Sequence, residues 1–236
     1  MSVADSDGVT RSLNEALLAA RAAGFLGPGP IDRHLRHAQG FVDLAKRQPH
    51  VTEEPRILDL GSGGGLPGLI VAQQWPRTTL VLLDANRRRA SFLERSVISC
   101  GLQPRVRVVQ QRAEIGGRDP ELRATFDGVV ARSFGVPAVV AECAAPFLRK
   151  GGWLIVSEPP AEKIEAPLPH RTHRTDEEDV AEDGAARWPS VPLAQFGLTP
   201  VAFVHEEFGY EILSQSELCP DAFPRRDGVP SRKPLF

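Results

Sequence analysis

Residues 58–68, LDLGSGGGLPG, place five glycines and one proline in eleven positions, directly after a short apolar run. Glycine tolerates positive φ and close backbone approach, so this density after a strand marks a turn with special demands on its backbone. RILDL (56–60) reads as a short buried strand, and PGLIVAQQW (67–75) as a helix with Pro67 in its first turn and Pro76 as its stop. Working outward, TLVLLD (79–84) is a second strand and NRRRASFLERSVISCG (86–101) a helix with Ala90, Leu93 and Val97 inward and Gly101 as its cap. VRVVQ (106–110) and FDGVVARS (126–133) are strands, PAVVAECAAPFL (137–148) a helix and GGWLIVS (151–157) a fifth strand. This repetition predicts an α/β fold: a Rossmann-like, mostly parallel, doubly wound sheet with right-handed crossovers. TPVAFVHEEF (199–208) and YEILSQ (210–215), separated by Gly209, predict a C-terminal antiparallel hairpin at one sheet edge.

The ends of the chain are of a different kind. Leu13, Ala16, Leu17, Ala20 and Ala23 give residues 9–24 helical spacing, and GPGP (27–30) breaks that helix. A second helix is expected over 31–46, so residues 1–50 form an N-terminal helical cap over a sheet edge or active site, and 51–236 form the main domain. Within the latter, 159–190 carries five prolines and little periodicity and reads as a long loop or insertion. The tail 223–236 is too rich in proline and basic residues for a regular element.

Composition narrows the class. The chain has 236 residues, 42% hydrophobic and 25% charged, as ordinary soluble domains do, with no apolar run approaching the ~20 residues of a membrane helix. No basic-then-apolar leader opens it, and Cys100, Cys143 and Cys219 lie far apart without metal spacing. These features point to reduced thiols in a cytoplasmic protein without a membrane or metal partner. The formal net charge is −2, yet six acids crowd into 176–184; without them 28 basic residues face 24 acidic ones. Arg87, Arg88 and Arg89 and the tail RRDGVPSRK are local basic clusters. Segregated charge permits an RNA-facing surface, and equally an ordinary solvated one.

A loop at the carboxyl end of the first strand sits where open α/β sheets bind ligands. A dinucleotide fingerprint needs GxGxxG, but Gly61, Gly63 and Gly65 give GxGxG, and Pro67 removes a backbone N–H where an anion would want one. S-adenosylmethionine, which carries no phosphate, suits the loop better, with Asp59 facing its zwitterionic end and Ser62 and Gly63 in the turn. Asp84, followed by Ala85, ends the second strand, where a carboxylate accepts ribose hydroxyls in either cofactor class or caps the next helix. Ala113 and Glu114 follow the third strand along the expected adenine pocket, unless Glu114 is plain surface.

LDLGSGGGLPGL resembles the glycine motif of the RsmG (GidB) family, bacterial enzymes that methylate N7 of a guanine in small-subunit ribosomal RNA. QQRAE is similar to that family's xRAE segment, VVARSFG to its VVSRAxA strand end, and FPRRDGVPSRKPL to its basic C-terminal signature. The four motifs stand in the family's order over about 56–156 and 223–235. The resemblance implies a class I methyltransferase fold, S-adenosylmethionine as cofactor and ribosomal RNA or the small subunit as partner. It assigns Gly61, Leu66, Ala113, Glu114 and Arg132 to cofactor contacts, with Asp84 as ribose ligand. Arg132 is the candidate catalytic residue, positioning a phosphate, a base oxygen or the cofactor carboxylate; a salt bridge under the sheet edge is the alternative. Arg225, Arg226, Arg232 and Lys233 would hold RNA backbone, unless the tail simply packs along the sheet.

The substrate side departs from the family. Glu158 and Pro159 stand where the family carries Lys-Gly, which puts an anion where a cation is expected near RNA. RHLRHAQ (33–39) matches the family's RHxLDS only through Arg33 and His34. These departures leave open a different RNA, a small-molecule or protein acceptor, or a cofactor-binding relative without catalysis.

Overall fold

The computed structural model describes residues 3–49, 51–159 and 187–236; the acidic stretch 176–184 lies outside them. In chain order the elements are α1 (Val3–Ala22), α2 (Ile31–Lys46), β1 (Arg56–Leu60), α3 (Gly68–Gln74), β2 (Thr79–Leu83), α4 (Arg87–Ser99) and β3 (Val106–Val109). Then come α5 (Ala113–Gly116), β4 (Phe126–Ala131), α6 (Pro137–Ala144), a 3-10 turn (Ala145–Phe147) and β5 (Leu148–Glu158). The chain ends with α7 (Ser190–Ala194), β6 (Leu198–His205), β7 (Gly209–Gln215) and α8 (Val229–Arg232).

The strands form one seven-stranded sheet in the order β3-β2-β1-β4-β5-β7-β6, with β1 to β5 parallel and β7 antiparallel to both neighbours. Register sets the position of the site. Leu60 pairs with Leu83 on one side and Ala131 on the other. The strands β1, β2 and β4 therefore end level, and the loops after them converge on one edge.

Alternation along the strands divides the core in two. Ile57, Leu80, Leu82, Val130, Ile155 and Ile212 face α1 to α4, while Leu58, Leu60, Val81, Leu83, Val129 and Leu154 face α6 and α7. The N-terminal helices share the first of these cores. α2 buries Ala38, Phe41, Val42, Leu44 and Ala45, and Phe41 meets Tyr210 edge to face at 5.1 Å. Full burial of such side chains stabilises by ~1.5–3 kcal/mol each, which fixes α2 over the carboxyl end of the sheet. The Tyr210 hydroxyl adds a hydrogen bond to the His37 carbonyl at 2.7 Å.

The ends of α4 follow from sequence. The Asn86 side chain accepts from the N–H groups of Arg88 and Arg89, and Gly101, at φ +62°, ends the helix with Leu102 N–H returning to Val97. Two expectations are corrected. Pro67 precedes α3 rather than opening it, and the tail does contain a regular element, the short helix α8. Gly228 at φ +70° turns the chain into α8, and Pro230 sits in its first turn, where no N–H is needed. No helix among the described residues is long and apolar enough to cross a membrane.

Candidate functional site

The glycine loop engages most of its own donors. Gly61 and Ser62 N–H both donate to the Leu83 carbonyl, at 2.9 and 3.0 Å, and Gly65 N–H donates to Ser62 at 2.7 Å. Gly63 N–H donates to Asp84 Oδ2 at 2.9 Å and Gly68 N–H to Asp59 Oδ2 at 3.0 Å. Five backbone donors are thereby consumed, two of them by carboxylates, and Pro67 has none. A pyrophosphate needs a run of free N–H groups here, and with most of them engaged the loop suits a dinucleotide poorly.

Steric room explains two of the glycines. Gly61 has φ +73°, and a Cβ there would lie 2.6 Å from the Phe134 ring. A Cβ on Gly68 would lie 2.5 Å from Asp59 Oδ2, so only glycine lets that N–H reach the carboxylate.

Beside the loop lies a cleft of about 270 Å³, lined from four converging segments. Leu60 and Gly61 follow β1, Asp84, Ala85 and Arg89 follow β2, Gln111 to Glu114 follow β3, and Ser133 and Phe134 follow β4. Val139 of α6 and Ser231 of α8 complete the wall. Asp84 and Glu114 are buried, at 5% and 4% exposure. Asp84 Oδ1 accepts from Asn86 N–H at 2.8 Å, which fixes the carboxylate between loop and helix. Burial works to raise the Glu114 pKa, but hydrogen bonds from Arg112, its own backbone and Gly228 hold it below the usual carboxylate range. Glu114 is therefore ionised at neutral pH. Ser133 adopts φ +54°, an uncommon conformation for a residue with a side chain, at the cleft wall.

Gly61, Asp84, Ala85, Ala113 and Glu114 are thus brought together. Gly63 stands behind them as a donor to Asp84. Asp59, Ser62, Leu66 and Arg132 do not line this cleft. Ser62 is buried and donates its hydroxyl to the Asp59 carbonyl, and Leu66 packs in the core. Asp59 is 1% exposed, with Oδ1 unpartnered, and burial pushes its carboxyl up to about 7 against the hydrogen bonds from Gly68 and Ser62. Arg132 lies on the same face of the sheet, near enough to Asp59, His34 and His37 to perturb all three. Its Nη1 has no partner, and burial lowers its pKa against the pull of Asp59.

The expected RNA tail behaves differently. Arg225 is committed to an internal carboxylate, Glu142, which corrects its assignment as a phosphate ligand. Gly228 N–H donates to Glu114 and Ser231 lines the cleft, so the tail helps build the cleft wall. Arg226, Arg232 and Lys233 are exposed. Glu158 is also corrected. It points into the protein at 3% side-chain exposure, paired with Arg187 at 2.5 Å and accepting the Trp188 indole N–H at 2.9 Å, so it puts no free anion at the mouth. Sequence reasoning did not single out Gln111, Arg112, Ser133, Phe134, Val139 or Ser231, although four of them stand in QQRAE and VVARSFG.

The donor set can be tested against a methyl donor. Two buried carboxylates suit ribose hydroxyls and an exocyclic amine, Ala113 and Val139 suit a purine face, and a loop with most of its donors engaged suits a ligand without phosphate. The residues fit S-adenosylmethionine.

Comparison with known proteins agrees. Residues 31–176 match the family described as rRNA small subunit methyltransferase G. The chain is 29% identical to the ribosomal RNA small subunit methyltransferase G of Prochlorococcus marinus strain NATL2A over 203 residues, covering 83% of this chain and 73% of that protein. It is 32% identical to the Deinococcus deserti protein of the same name over 187 residues, covering 79% and 71%. Among solved structures, a putative O-methyltransferase from Klebsiella pneumoniae superposes with a TM-score of 0.58 at 17% identity, covering 86% of this chain and 89% of that one. Cofactor-bound Rv0187 from MTB gives 0.57 at 19% identity, covering 88% and 90%, and these two likenesses establish the shared fold. With motif, cleft and sequence in agreement, the chain belongs to the rRNA small subunit methyltransferase G family.

Proposed function

We propose that the protein transfers a methyl group from S-adenosylmethionine to N7 of a guanine in small-subunit ribosomal RNA. The observation that carries this reading is the cleft at the level ends of β1, β2 and β4, where Asp84 and Glu114 are buried beside a glycine loop with most of its donors already used. When bound, S-adenosylmethionine supplies a methyl carbon activated by a sulfonium. Asp84 and Glu114 would hold its ribose and adenine polar groups, and Ala113 and Val139 would pack against the purine. Arg132 follows the last residue of β4 and lies outside this cleft on the Asp59 face; its unpartnered Nη1 is the donor we assign to the carboxylate end of a cofactor that extends past the cleft over the strand ends.

Guanine N7 attacks through a lone pair and has no proton to lose, so no general base is required. The residues of this chain contribute alignment and exclusion of water, which is catalysis by proximity. Arg132 is accordingly a positioning residue; a cation placed on the base would oppose the positive charge that develops there. The burial of Glu158 against Arg187 removes one of the sequence-level reasons for expecting a changed acceptor; the divergence over 33–39 remains.

Tritiated methyl donor incubated with the protein and either bare small-subunit RNA or assembled subunits tests the reading. Label recovered as 7-methylguanine is expected in at least one of them. No label in either, with donor binding established by calorimetry, would overturn it.

A further inference from the structure

The connection between α1 and α2 and the outer face of α4 frame a groove of about 530 Å³. Arg87, Arg88, Ser91 and Arg95 line one side, at helical spacing, and Phe25 and Phe92 form an apolar floor, edge to face at 5.5 Å. Arg87, Arg88 and Arg95 are exposed and form no ion pair among the described residues. Most other arginines near the site are engaged: Arg36 with Glu207, Arg112 with Glu114 and Asp227, Arg225 with Glu142. Three uncompensated guanidinium groups on one groove are therefore a distinct feature of this surface.

The groove lies against the glycine loop. The Phe25 carbonyl lies 2.8 Å from where a side chain on Gly64 would begin, so the groove floor rests on the glycine loop. Arg89, next in sequence to Arg88, lines the cleft and approaches Asp84 at 3.9 Å. A polyanion in the groove would pass directly beside the donor site.

We propose that this groove seats the phosphate backbone of the substrate RNA. The proposal rests on the ribosomal RNA reading above and moves the principal RNA contact from the C-terminal tail to α4. Guanidinium groups match phosphate oxygens in a forked geometry, and each one without an internal counter-ion can release a counter-ion from RNA when it binds. Half-buried Phe25, held edge to face by Phe92 beneath it, offers an apolar contact for a sugar or base between phosphates.

The test compares Arg87→Gln/Arg88→Gln/Arg95→Gln and the corresponding triple lysine variant with wild type, leaving Arg89 in place. Filter binding to transcribed small-subunit RNA across a potassium chloride series gives affinity and salt slope, and calorimetry gives methyl-donor affinity. The glutamine variant is expected to lose at least ten-fold in RNA affinity, and its log–log salt slope should fall by about 0.7–0.9 per lost phosphate contact. Donor affinity should stay within two-fold, and the lysine variant should recover most RNA binding. RNA affinity and slope unchanged in the glutamine variant, with wild type binding RNA, would overturn the groove and leave the methyltransferase reading standing. A loss confined to assembled subunits, with bare RNA bound normally, would also overturn it and point to a ribosomal protein. Wild type that binds donor but neither binds nor methylates small-subunit RNA would remove both readings.

Discussion

The Glu142 carboxylate, fully buried on α6, accepts four hydrogen bonds from Arg225, one from its backbone N–H and three from its guanidinium, at 2.6–3.1 Å. Arg123 and Arg118 reinforce this clamp by donating to the carbonyls of Cys219, Pro220, Phe223 and Pro224. The tail is thereby folded onto the domain, with Ser231 at the cofactor cleft. Arg225→Ala strands a buried carboxylate, which costs about 3 kcal/mol or more. Urea unfolding should register that loss, and calorimetry should show weakened donor binding as the tail releases the cleft wall. Unchanged stability would mean that the pair does not anchor the tail.

Glu158 tests whether the family's lysine belongs at this position. Its carboxylate is held by Arg187 and Trp188, and a lysine there would set a second cation against Arg187 in a buried place. Glu158→Lys is expected to destabilise the protein by about 3–5 kcal/mol without raising RNA affinity. Thermal unfolding and filter binding on the same preparation check both halves. A stable variant with tighter RNA binding would restore the sequence-level interpretation.

The difference between these two residues and the rest of the site shows what the sequence could carry. RILDL and TLVLL announce their strands by local pattern, and the acid after the second strand falls in the cleft as expected. Gly101 and Asn86 mark helix ends by local chemistry alone. Arg225 and Glu142, by contrast, are 83 residues apart, and Glu158 meets Arg187 only because β5 delivers it to the segment before α7. A basic residue reads as solvent-facing or RNA-facing until its counter-ion is located in space. Helices α5, α7 and α8 span four or five residues, too few to show a period. Asp59 reads as a site residue from its position near a strand end, but its side chain faces the α3 side of the sheet, away from the cleft.

Gly61 should be intolerant of a side chain. At φ +73° an added Cβ is strained by about 1–2 kcal/mol, and it would press on Phe134, which lines the cleft. Gly61→Ala is expected to weaken methyl-donor binding at least ten-fold, with a modest loss of stability. Calorimetry and urea unfolding separate the two effects. Full donor affinity would show that the Phe134 wall is not part of the binding surface.

Glu211 on β7 should give the folded state a pH dependence that runs opposite to that of a salt-bridged carboxylate. It is 3% exposed with Oε2 unpartnered, and burial, followed by the neighbouring Glu158 charge, pushes its pKa up to about 8. Glu158 faces it from β5, and Arg187 and Trp188 engage Glu158. The unfolded chain releases this proton near pH 4.5, whereas the folded chain retains it to about 8. Between those values the native state binds the extra proton, so stability falls as pH rises through the window. The contribution is complete below about pH 4.5 and gone above about pH 8, on the order of 5 kcal/mol across the window. Glu211→Gln, which keeps the shape of the protonated side chain, should flatten that part of the profile. Its stability relative to wild type should therefore rise steadily from pH 5 to pH 8 in urea unfolding. A difference that stays constant over that range would show that Glu211 does not hold its proton in the folded protein.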